Sequence, residues 1–126
     1  MSKFTHLHVH TQYSILDGLA KISELIDKAY KDGQRAMAIT DHGNLFGIFD
    51  FVEAVDSYNR KYAEKNDPFK AILGCEVYVA SRSRFDKDKN VREDRSGRHL
   101  ILLAKNWTGY RNLCRLVSYS YSEGFY

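Results

Sequence analysis

The sequence predicts an α/β fold, and three observations carry that prediction. Short apolar runs, AMAIT at 36–40 and LILLA at 100–104, have the length and composition of buried strands. Longer stretches between them place apolar residues at helical spacing and end at breakers, Gly33 in one case and Asn66, Asp67 and Pro68 in another. Strand and helix therefore alternate, the pattern of a sheet with parallel strands.

Phe4 to Thr11 reads as the first strand, with Leu7 and Val9 on one face and His6, His8 and His10 on the other. Ala20 to Asp32 is a helix, since Ile22, Leu25, Ile26, Ala29 and Tyr30 recur on one side; Gly33 stops it, where a left-handed C-cap costs least. Ala36 to Thr40 is the second strand, and DHGN, Asp41 to Asn44, is a turn. The next helix runs from about Leu45 to Glu64 on Phe49, Val52, Val55, Tyr58 and Tyr62. Ala71 to Leu73 and Glu76 to Ala80 are strand material around Gly74. Leu100 to Ala104 is a further strand, and Thr108 is the expected cap of a helix carrying Tyr110, Leu113, Leu116 and Val117.

With 126 residues the chain supports one domain and a modest core. A content of 44% hydrophobic and 28% charged residues excludes a disordered chain. The net charge of +3 is local: the loop at about 81–98 holds seven basic and four acidic residues. It reads either as a solvated loop or as an arm that contacts phosphates. Cys75 and Cys114 sit apart in apolar segments, as buried thiols of a reducing compartment do. No secretory leader or membrane span is read, so a cytoplasmic protein is expected. The closing SEGFY carries no stop signal, so the chain is expected to belong to something longer.

The chemistry lies in the histidines and carboxylates. His8 and His10, two apart on a strand, project from one face roughly 6–7 Å apart, within reach of one ion. Asp41 and His42 follow a buried strand at its carboxyl end, where α/β folds build their sites. His42 is read as a ligand there, and Asp41 as a helix cap or a group supporting the ligands. Glu76 stands in an apolar run and needs a cation or several hydrogen bonds, a salt bridge to arginine being the other option. Asp17, seven residues beyond His10, is left open by spacing alone. His99 starts its strand, the wrong end for a site at a carboxyl edge, and the residues leave it undecided. So many ligands exceed one tetrahedral zinc. They suit two or three ions sharing carboxylate bridges, an arrangement that cleaves phosphate esters through an acidified water; the mixed nitrogen and oxygen donors favour zinc, manganese or iron over magnesium.

HLHVHTQYSILDG, AITDHGNLFG, ILGCEVYV and HLILLAKNWTGYRNL resemble the PHP (polymerase and histidinol phosphatase) domain family. The flanks YSILDG and AKNWTGYRNL resemble the branch that opens bacterial replicative DNA polymerases. The similarity covers nearly the whole chain except the charged loop. It implies a distorted (β/α)7 TIM-like barrel of which residues 1–126 form the N-terminal, truncated portion. It implies metal ligation by His8, His10, Asp17, His42, Glu76 and His99, with zinc or manganese as two or three ions in the complete domain. Asp17 and His10 would then serve catalysis through the acidified water. His6 would support the ligands, its position often being an aspartate in related domains.

In this branch the site either supports a 3′–5′ exonuclease or is a scaffold that docks a separate proofreading subunit. A free-standing phosphoesterase of the histidinol phosphatase type is a third reading, opposed by Tyr13 to Gly18 and Asn106 to Leu113. Implied partners are DNA, the sliding clamp and the proofreading subunit, with no membrane; magnesium would serve a polymerase domain outside this chain. The family's remaining ligands, commonly a Cys or His and then an Asp-x-His pair, come later in the barrel, and neither cysteine here takes their place. Alone, these residues are expected to be inactive.

Overall fold

The computed structural model describes residues 4–63, 66–95 and 97–124. Helix α1 spans Ile22–Lys31, strand β1 Ala36–Ile39, helix α2 Ile48–Lys61, strand β2 Lys70–Val79, strand β3 Arg98–Leu103 and helix α3 Trp107–Tyr119. A 3₁₀ turn at Arg92–Asp94 and a π-helical turn at Ser120–Gly124 complete the elements. The expected end of the second helix at Glu64 lies outside the described residues; the helix itself ends at Lys61.

The sheet has the order β1-β2-β3 and is mixed. β1 and β2 run parallel, Ile39 opposite Leu73, as a crossover through α2 requires. β2 and β3 are antiparallel, Glu76 opposite Ile101 and Tyr78 opposite His99, which corrects the all-parallel expectation. The charged loop makes this possible, because it returns the chain without an intervening crossover helix. The two strand pieces expected around Gly74 are one continuous strand. Gly74 permits it: a Cβ there would lie 2.7 Å from the Leu102 carbonyl oxygen and 2.9 Å from Thr40 Cγ2.

The first expected strand is an extended segment beside β1 and not a regular ladder. Ala38 N–H donates to the His6 carbonyl at 2.8 Å and Thr40 N–H to the Val9 carbonyl at 2.8 Å. The segment thus spends three residues where β1 spends two, as at a bulge, and Val9 N–H turns to Thr40 Oγ1 at 2.9 Å. A bulge breaks the alternation of faces. His6 consequently parts from His8 and His10, and its ring packs edge-on against Phe4 with centroids 4.8 Å apart.

The core lies between the two helices and β1. Ile22, Ile26 and Ala29 of α1, Met37 and Ile39 of β1, and Ile48, Phe51 and Val55 of α2 are buried together with Phe69. α1 ends in a Schellman arrangement, Gln34 N–H reaching the Ala29 carbonyl and Gly33 N–H the Tyr30 carbonyl, with Gly33 at φ +84°. Neither Asp41 nor Asn44 caps α2, whose N-cap is Gly47. Asn44 instead closes a local turn, accepting from Phe46 N–H at 3.1 Å. α3 is capped by Asn106, whose side chain accepts from Gly109 N–H at 2.9 Å, and not by Thr108. Of the cysteines, Cys75 is fully buried as expected, whereas Cys114 is half-buried.

Candidate metal centre

Glu76 is the hub. Its side chain is 1% exposed, and four imidazoles from three separate parts of the chain converge on it. Oε2 lies 2.6 Å from His8 Nε2 and 2.9 Å from His10 Nε2. Oε1 lies 2.7 Å from His99 Nδ1 and 3.1 Å from His42 Nδ1. Neither Oε1 approach has hydrogen-bond geometry, so a buried carboxylate oxygen is left without a hydrogen-bond partner. Burial works against the Glu76 charge; hydrogen bonds to His10 and His8 and the fields of His42 and His99 outweigh it and hold the carboxyl below its usual range.

Asp17 forms the second pole. Its carboxylate pairs with His42 Nε2 and stands 3.3 Å from His10 Nδ1. The His42 hydrogen bond chiefly holds the Asp17 carboxyl below its ordinary range, with His10 adding to it. Two donor groups result, His8–His10–Glu76 and His10–Asp17–His42. His10 belongs to both through its two ring nitrogens, and a neutral imidazole has one lone pair to give.

The fold explains each position. His8 and His10 leave the extended segment beyond its bulge, and the His42 residue bridges to Glu76 as the chain runs on past β1. His99 opens β3; because β3 is antiparallel, its first residues lie at the carboxyl ends of β1 and β2. The objection that His99 sits at the wrong end of its strand is thereby removed. All six residues named from sequence, His8, His10, Asp17, His42, Glu76 and His99, meet at one edge of the sheet.

Asp41 is a clamp. Buried, it accepts from Thr11 N–H at 2.6 Å, Thr11 Oγ1–H at 2.9 Å and Ser14 Oγ–H at 2.7 Å, fixing the histidine segment to the end of β1. Ser14 Oγ in turn accepts from His42 N–H at 3.2 Å. Sequence reasoning missed Thr11, Ser14 and also Tyr78, whose hydroxyl lies 2.7 Å from His42 Nδ1. Tyr78 had a readable signal: two residues beyond Glu76 on a strand, it shares Glu76's face.

The residues fit a metal. The hydrogen-bond-free Glu76 Oε1 is aimed among imidazoles, and the donor set of neutral nitrogen and carboxylate oxygen is one that first-row divalent ions take. An α/β sheet with such a group at its carboxyl edge defines the class: a protein with a candidate metal site built on strand ends.

Comparison gives the family. A family model described as the PHP domain matches residues 6–126, and the chain belongs to that family. It is 49% identical over 120 residues to DNA polymerase III subunit alpha of Chlamydia trachomatis, covering 95% of this chain and 9% of that one. The subunit alpha of Borreliella burgdorferi is 48% identical over 128 residues, with 99% and 10% covered. That of Aquifex aeolicus is 44% identical over 131 residues, with 100% and 10% covered. The chain therefore spans about a tenth of the length of these relatives. A solved structure from Bifidobacterium adolescentis, described as a candidate metal-dependent phosphoesterase, shares the fold at TM-score 0.50 and 21% identity, over 88% of this chain and 31% of that one.

Proposed function

We propose that the chain is the opening part of the PHP domain of a bacterial replicative polymerase, DNA polymerase III subunit alpha, and that it holds metal for hydrolysis of 3′-terminal phosphodiesters. The buried Glu76 carboxylate among four imidazoles, one oxygen lacking a hydrogen bond, is the observation that carries this reading. His8, His10, Asp17, His42, Glu76 and His99 would hold two or three ions of zinc or manganese. Such ions polarise a phosphoryl oxygen and acidify water near neutral pH. Glu76 and Asp17 supply the negative charge that offsets the ions, and the imidazoles supply neutral donors. Asp41 keeps the His8–His10 segment fixed against β1, so the donors need not reorganise. Residues 1–126 form part of a (β/α)7 barrel in this reading, and DNA, the sliding clamp and the proofreading subunit are its partners in the cytoplasm. Among the described residues no helix is long and apolar enough to cross a membrane.

A scaffold role is favoured by one other observation: Ile15, Leu16 and Leu19, in the loop that carries Asp17, are 79%, 103% and 97% exposed, as a surface awaiting a covering subunit would be. Elemental analysis of the full-length polymerase, purified without chelator, tests the metal. Hydrolysis of a 3′-mismatched primer by wild type, Asp17→Asn and His10→Ala then tests the chemistry. Metal with a nuclease rate unaltered by either substitution leaves only the scaffold; absence of metal overturns the metal centre.

A further inference from the structure

Tyr78 touches two of the histidines at once. Its hydroxyl lies 2.7 Å from His42 Nδ1, and its ring meets the His99 ring edge-on at 4.7 Å, the two residues being cross-strand partners. It also lies nearly parallel to the His42 ring, 18° between planes at 6.2 Å. Tyrosine differs in hydrogen-bond capacity from the two carboxylates that face the ring nitrogens of His42. Asp17 and Glu76 as carboxylates only accept, whereas a phenol both donates and accepts.

That difference matters because the two ring nitrogens of His42 face different demands. Nε2 faces the Asp17 carboxylate, so without a cation the proton belongs on Nε2 and Nδ1 presents a lone pair. The Tyr78 hydroxyl then donates to Nδ1. A cation at Nε2 needs the lone pair there, which moves the proton to Nδ1. That N–H requires an acceptor, and Glu76 Oε1 lies 3.1 Å away without hydrogen-bond geometry. The Tyr78 oxygen then accepts from it. The exchange changes the tautomer and leaves the charge of the ring unaltered.

We propose that Tyr78 is a positioning residue that orients His42 and lets it invert its tautomer when a divalent cation binds, without a ring nitrogen losing its partner. This rests on the metal-centre reading of His42, and the experiment separates the two. Imidazole ¹⁵N spectra of the 126-residue chain and its Tyr78→Phe variant are taken without metal and with Zn²⁺, and Zn²⁺ affinity is measured by chelator competition. Phenylalanine keeps the ring that packs on His99 and removes only the hydroxyl.

In wild type, His42 is expected with its proton on Nε2 without metal and on Nδ1 with Zn²⁺. In Tyr78→Phe the metal-free preference weakens and Zn²⁺ binding falls about 10- to 100-fold, the range found when an outer partner of a ligand is removed. Equal tautomer populations and equal affinity in the two proteins overturn the role of Tyr78 and leave the metal centre standing. A wild type that binds no Zn²⁺ overturns ion binding by these six residues on their own, while the metal-free spectra still decide whether Tyr78 sets the tautomer. Should the variant not fold, a coupling across the hydrogen bond between the Tyr78 hydroxyl proton and His42 Nδ1 in metal-free wild type supports the contact, and its absence overturns it.

Discussion

His99 Nδ1 stands 2.7 Å from Glu76 Oε1, although 23 positions and a highly charged loop separate the two in sequence. The antiparallel pairing of β2 and β3 alone accounts for that approach. A parallel β3 would carry His99 to the far edge of the sheet.

Glu76 is thus the residue whose loss is felt by four histidines. Glu76→Gln replaces a charge with an amide of the same shape, and Zn²⁺ binding is expected to weaken by at least about 100-fold, more than loss of an outer partner costs. Equilibrium titration against a chromophoric chelator measures it, and an affinity within threefold of wild type would contradict the hub role.

Asp41→Ala leaves the Thr11 N–H, the Thr11 hydroxyl and the Ser14 hydroxyl without their acceptor in a buried place. Each such group costs about 1–3 kcal/mol, so a total of about 3 kcal/mol or more is expected in urea unfolding. Asp41→Asn keeps one acceptor oxygen and should lose clearly less. Equal losses in the two variants would refute the clamp.

At Gly18 the space is closed by backbone: a Cβ would lie 2.0 Å from the Thr11 carbonyl oxygen. Gly18→Ala therefore displaces the turn that holds Asp17, at about 1–3 kcal/mol for forced overpacking. The same variant should weaken Zn²⁺ binding, since Asp17 N–H is held to the Ser14 carbonyl within that turn at 3.0 Å. Wild-type stability by thermal unfolding would show that the turn yields.

Burial, aided by the charge of Asp41, pushes the Cys75 thiol up to about 11. At pH 8 almost none of it is thiolate, and it is fully buried. Iodoacetamide should therefore label Cys114 in the folded chain and reach Cys75 only in urea. Peptide mass mapping reads the order, and early labelling of Cys75 would be the contrary result.

Ion pairs and hydrogen bonds tie described residues of the charged loop to one another. Arg82 meets Asp94 through Nε at 2.8 Å and Nη2 at 2.5 Å, and Asp94 also accepts from Asp88 N–H at 3.1 Å. The Arg82 hydrogen bond holds the Asp94 carboxyl below its ordinary range. A lowered folded value means the stabilisation is present above the usual aspartate pKa and lost as pH falls through the folded value. The Asp88 amide resonance should therefore titrate below about pH 3.9, the unperturbed value. Asp94→Ala at pH 7 should speed tryptic cleavage within the loop several-fold, since the opened loop is what the protease cuts. An unchanged rate would return the loop to the solvated alternative read from its composition.

Much of this was legible in the residues. The apolar periodicity placed α1, β1, α2 and β3 to within a few residues, because helix and strand repeat lengths are local properties. The residues that meet at the sheet edge were also legible: His8 and His10 by their spacing, His42 by its place after a buried strand, Glu76 by its apolar surroundings. Asp17 and the standing of His99 came from the family resemblance, since nothing in their own neighbourhoods marked them.

What the amino-acid order determined, then, was the inventory of candidate donors and the segments that bear them. The tertiary structure decided which atoms meet. Strand direction is set by pairing partners distant in sequence, and that turned His99 toward Glu76. One extra residue in the pairing of the first segment with β1 parted His6 from His8 and His10. Helix capping and the role of Asp41 were likewise settled by which buried donors needed an acceptor once the elements had packed. Local pattern fixes what a segment is; long-range hydrogen bonding fixes what its side chains face.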